Sequence, residues 1–161
     1  MASSFTTTLS SSRGFHPSVT TIISLPKSAK RSNQPNRNGV LDQSHSTEIQ
    51  ENLVNCTLHV AHTLPSGVFA DPYELELRSN QYTFKIWGEN NLEYPTHVMS
   101  GSGQHLLVNL HISSDARVAT LELPLHLRYA EPGYGGHKPV TLPTPVPFWA
   151  CQSSGMSSTE D

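Results

Sequence analysis

The sequence predicts an all-β protein, an antiparallel β-sandwich preceded by a disordered N-terminal leader. Three observations carry that prediction. Apolar and polar residues alternate with period two in several short runs from residue 53 onward, and successive side chains of a strand point to opposite faces. Gly, Pro, Asn and Ser punctuate the chain between those runs, as turns require. No stretch keeps a helical period over about ten residues. A chain of 161 residues suits one domain. The expected organisation is a leader and linker over residues 1–52, the sandwich over 53–151 and a disordered tail over 152–161.

The leader stands apart by composition. It is rich in Ser and Thr and holds Arg13, Lys27, Lys30, Arg31 and Arg37, while all 13 acidic residues follow residue 41. Basic, hydroxyl-rich and free of acid is the composition of an organellar transit peptide. Val19–Leu25 is the nearest approach to a secretory apolar core, and its threonines and serine weaken it. Residues 33–52 are polar and without period, as in a linker. The remainder is mildly acidic. A nucleic-acid binder would concentrate Lys and Arg on its folded part, so no nucleic-acid partner is expected. No run approaches the roughly 20 apolar residues of a membrane span.

The strands follow in order. In NCTLHVAH, Cys56, Leu58 and Val60 alternate with Thr57, His59 and Ala61. Leu64-Pro65-Ser66-Gly67 is a turn. PYELELR reads as a strand, with Tyr73, Leu75 and Leu77 opposed by Glu74, Glu76 and Arg78; Ser79-Asn80 then turns the chain. In YTFKIW, Tyr82, Phe84 and Ile86 oppose Thr83, Lys85 and Trp87. A loop with Pro95, Gly101 and Gly103 leads to LLVNLHIS, where Leu106, Val108, Leu110 and Ile112 share a face. The longest strand is LELPLHLRY at 121–129. Leu121, Leu123, Leu125 and Leu127 point one way, and Glu122, Pro124, His126 and Arg128 the other. Pro124 has no N–H for a ladder, so it marks an edge or a bulge. His126, Arg128 and Tyr129 are then expected on an outer rim open to a partner chain. VTLP and PFWAC close the domain as short extended pieces.

Chemistry is sparse. Nine histidines raise a metal hypothesis. His59 and His62, three apart on one strand, face opposite sides, and no cysteine completes a zinc site. His59, His111 and His126 take outward parity and read as solvated strand residues. Glu74 and Glu76 share a face, which an acid/base pair needs, but an ordinary solvated face accounts for them. There is no nucleophile elbow and no phosphate loop between a strand and a helix. No catalytic residue, cofactor or metal site is expected. Asn55-Cys56-Thr57 is an N-glycosylation sequon at the start of the first strand. Cys56 and Cys151 nearly bracket the strand-rich region. Bonded, they would contribute about 4–5 kcal/mol in the chain-entropy view. Two buried free thiols are the alternative.

HVAHTLPSGVFADPYEL at 59–75, LELPLHLRY at 121–129 and VTLPTPVPFWAC at 140–151 together resemble the lumenal domain of the class X phosphatidylinositol-glycan biosynthesis proteins, a family related to the yeast Pbn1-type proteins. The specific part is the order LPSG, DPYEL, LPLHLRY and a closing Phe148-x-x-Cys151, over about residues 53–151. The resemblance implies a non-catalytic subunit of GPI mannosyltransferase I, which transfers the first mannose from dolichol-phosphate-mannose to the GPI anchor precursor in the endoplasmic reticulum. It implies a class M mannosyltransferase as catalytic partner. An oxidising lumen would favour a Cys56–Cys151 bridge and use of Asn55. The family's membrane span has no counterpart after Cys151, so membrane association is expected through the partner or through an anchor this sequence lacks. The alternative, from the leader composition, is a soluble β-sandwich binding domain in a plastid with no role in GPI synthesis.

Overall fold

The computed structural model describes residues 4–10, 14–25, 56–99, 101, 103–131 and 138–151. Their strands form antiparallel sheets. One sheet has the order β5 (Tyr82–Gly88), β6 (Gln104–Leu110), β3 (Cys56–Leu64), β9 (Val146–Cys151). The other has the order β1 (Phe5–Leu9), β2 (Ser18–Ser24), β7 (Val118–Pro124). A small ribbon pairs β4 (Val68–Phe69) with β8 (His126–Leu127).

Period-two patterning builds the core as expected. From the four-stranded sheet, Leu58, Val60, Leu64, Leu106, Val108, Leu110 and Tyr82 turn inward; from the three-stranded sheet, Val19, Ile23, Ala119, Leu121 and Leu123 meet them in one buried cluster. Register keeps the faces matched. Val60 lies opposite Val108, and Val19 opposite Leu123. Across the first sheet, Cys56 is the register partner of Cys151, and the two form a disulfide with Cα atoms 4.0 Å apart. Gly103, just before β6, passes so close to the carbonyl oxygen of Leu64 that a Cβ there would overlap it.

Two stretches that the sequence places in the leader are strands. β2 pairs along its whole length with β7, and Ile23 is fully buried. The physical reason is visible in SVTTIIS. Val19, Thr21 and Ile23 alternate inward, and its β-branched residues favour the extended backbone. Hydroxyl content hides the pattern, because Thr21 occupies a buried position, 3.5 Å from Thr7 across the strand pair. The remainder of the leader and linker, the glycine loop around Gly133–Gly136 and the tail lie outside the described residues.

PYELELR is not a strand. Pro72–Glu76 forms a short helix, α1. Asp71 caps it by accepting the N–H of Tyr73 at 2.9 Å, and Pro72 supplies the first helical residue. A proline there has φ already near the helical value and lacks an N–H that would go unpaired anyway. Leu75 points into the core, while Tyr73 and Leu77 are exposed.

The placement of β2 has a direct consequence. Ile23→Ala is expected to lower unfolding free energy by about 2–4 kcal/mol. Ile22→Ala, on the outer face, is expected to change it by no more than about 0.5 kcal/mol. Urea denaturation of the two variants checks this, and equal small effects would return β2 to a leader.

Candidate functional site

The corner after β7 gathers Glu74, His126, Arg128 and Tyr129, four of the side chains that sequence reasoning singles out. Pro124 ends β7 on an edge of its sheet, and the chain then changes partners. Leu125 and Leu127 donate their N–H groups to the carbonyls of Pro17 and Phe15, each at 2.9 Å, while β8 pairs with β4. Arg128 donates its N–H to the carbonyl of Gly67 at 2.9 Å. The side chains from 126 to 129 are therefore set by the ribbon rather than by a continuation of β7.

That switch corrects the outward rim. Arg128 is buried, with 6% of its surface exposed. Its Nη1 donates to the carbonyl oxygens of Asn91 and Tyr94, and its guanidinium carbon lies 4.6 Å from the centre of the Phe69 ring. Burial pulls its pKa down from the ordinary value, and the Glu89 carboxylate opposes that pull. A guanidinium stays charged under such conditions. Arg128 thus holds the loop after β5 against the ribbon.

His126 is half-buried rather than solvated. Its Nε2 lies 2.7 Å from Oε2 of Glu74 on α1, and its Nδ1 lies 3.0 Å from Nδ1 of His16. With His126 neutral, its Nε2–H donates to Glu74, and His16 supplies the proton between the two rings. The His126 ring also stacks on Phe69, with centres 5.1 Å apart. Of the three predicted rim residues only Tyr129 is open to solvent, at 72% exposure, with its ring 5.4 Å from that of Phe15. His16 and Phe15 escaped the sequence reading because their segment looked like leader.

His59 and His62 take opposite faces, as their spacing requires. His59 stacks on Phe148 and bonds the Thr57 hydroxyl at 2.8 Å. His62 turns inward among the apolar residues of β3. His111 is exposed, its Nδ1 lying 3.4 Å from the Asn80 carbonyl oxygen. Asn55 lies outside the described residues, next to the first residue of β3. Among the described residues, no group of three or more His, Cys, Asp and Glu is arranged to hold a metal ion. No helix among them is long and apolar enough to cross a membrane.

A cavity of about 580 Å³ opens where β1 overhangs the core. β1 contributes Phe5, Thr7, Thr8 and Leu9, and β3 contributes His62 and Leu64. The segment leading into β9 borders it through Val140, Leu142, Pro143, Thr144 and Pro145, and no charged carboxylate, ammonium or guanidinium lines it. His62 is the one titratable group. Burial pushes its pKa down to about 4, and its Nε2 has no hydrogen-bond partner among the described residues. The signal for this residue was legible, since position 62 has the inward parity of Leu58, Val60 and Leu64.

The buried histidine makes stability depend on pH. An unfolded His62 takes up its proton near 6.5 and the folded one only near about 4. Between those values the unfolded state binds more protons, so stability falls as pH drops through that window. Between about pH 7.5 and pH 5 the His62 contribution amounts to a loss of about 2 kcal/mol. His62→Leu is expected to remove it, as urea denaturation at the two pH values would register. Parallel losses in both proteins would contradict a neutral buried His62.

Comparison with known proteins supplies the family. A family model described as PIG-X / PBN1 matches residues 12–160, which includes β2. A protein named pbn1 from Emericella nidulans is 36% identical over 110 residues, covering 61% of this chain and 21% of its own length. The PBN1 protein of Yarrowia lipolytica is 32% identical over 130 residues, covering 71% of this chain and 25% of its own length. A rat protein named "GPI alpha-1,4-mannosyltransferase I, stabilizing subunit" is 34% identical over 88 residues, covering 51% of this chain and 33% of its own length. This chain thus spans between about a fifth and a third of these curated relatives. No solved structure matches. The match over most of its length establishes that the chain belongs to the PIG-X / PBN1 family.

Proposed function

We propose that this chain is a non-catalytic stabilising subunit of GPI mannosyltransferase I, which adds the first mannose from dolichol-phosphate-mannose to the GPI anchor precursor. The observation that carries the reading is the family match over residues 12–160, together with the name of the rat relative. On this reading its partner is the class M catalytic subunit, and the domain lies on the lumenal side of the endoplasmic-reticulum membrane. The disulfide between Cys56 and Cys151 supports a lumenal address, because such bonds persist in oxidising compartments. Asn55 is then a glycosylation acceptor, and Tyr129 the member of the predicted rim left open to the partner. The names of the relatives give the plastid alternative no support.

The physical action of such a subunit is mass action. A protein that binds only the folded form of its partner shifts that partner's folding equilibrium, by about 2.7 kcal/mol when present at about 100 times its dissociation constant. No reacting group is required of it. A tagged full-length chain is expected to co-purify with the mannosyltransferase from a detergent extract, and its depletion to lower the amount of that enzyme several-fold. Asn55→Gln is expected to lose a glycosidase-sensitive mass. Failure to associate, or import into a plastid, would contradict the assignment.

A further inference from the structure

We propose that the cavity between β1 and the segment leading into β9 receives an extended, uncharged stretch of the partner polypeptide, which adds a strand to β1. The inference rests on the subunit reading and names the surface that reading would use.

Three observations converge on that occupant. β1 is one edge of the three-stranded sheet, and among the described residues no strand pairs with its side away from β2. An open strand edge presents a repeating row of N–H and C=O groups, and an extended peptide is the ligand that matches that repeat. Both parities of β1, Thr7 and Thr8, line the cavity, so the cavity reaches the strand's edge and not only one face. Phe5 and Leu9 share the inward parity of Ile23 and Val19 yet remain 38% and 46% exposed, which leaves apolar surface for a neighbour to cover.

Charge and polarity narrow the chemistry. The lining carries no ionised side chain at neutral pH, which selects against a charged segment. His62 is buried, lines the cavity and has an Nε2 without a hydrogen-bond partner among the described residues. At about 580 Å³ the cavity falls within the range of ligand pockets.

The test uses the full chain co-expressed with the mannosyltransferase. A photo-crosslinking residue at Leu9 or Thr144 is expected to capture the enzyme about tenfold more than one at Trp87, on the outer face of the four-stranded sheet. Leu9→Glu is expected to melt close to wild type, because Leu9 is 46% exposed, while it places a charge in the uncharged lining. The same variant is expected to recover about tenfold less enzyme. Capture from Trp87 alone, capture only of this chain or of lipid, or full recovery by Leu9→Glu would overturn the groove while leaving the subunit role intact. If wild-type chain captures and recovers no enzyme, the subunit role itself falls, and the groove assignment with it.

Discussion

The pairing of β2 with β7 is the interaction on which the rest of the structure depends. It joins segments about a hundred residues apart, from Ser18 opposite Pro124 to Ser24 opposite Val118. On its inner face lie Val19, Ile23, Ala119, Leu121 and Leu123. Without that face, the apolar side chains of β3 and β6 would meet water, and hydrophobic burial is the main favourable term in folding. The same pairing sets the entry of Phe15, His16 and Pro17, whose backbone then receives the residues after Pro124.

From that frame the polar corner follows. Pro124 cannot extend the ladder, so the chain crosses to the ribbon with β4. The crossing carries Arg128 under the loop after β5, where two carbonyls and the Phe69 ring hold it. It also carries His126 between Glu74 and His16, linking α1 to the segment before β2. These contacts tie four separate stretches of chain together. They give Glu74, His126 and Arg128 structural partners.

Much of the core was legible in the sequence, because strands β3, β5, β6 and β7 alternate plainly between apolar and polar residues. Where reading failed, a local signal competed with the period. In PYELELR the alternation is real, but Asp71-Pro72 starts a helix and overrides it. In SVTTIIS the alternation is also real, but Thr21 stands where an aliphatic residue would announce the core, and hydroxyl-rich composition resembles a targeting segment. Arg128 lies on the buried side because the parity of β7 does not run past Pro124, where the chain changes sheet. The cavity was beyond reach for a related reason: with β1 read as leader, neither the edge strand nor the open seam beside it existed. Only His62 could have been found, from its inward parity.

The N-terminal strands are part of one cooperative fold. Native-state hydrogen exchange on the full chain tests that most directly. The amides of β2 are predicted to open with free energies within about 1 kcal/mol of those in β3 and β6, as members of one unit do. Amides of β2 that exchange as freely as a loop, while β3 and β6 stay protected, would contradict it.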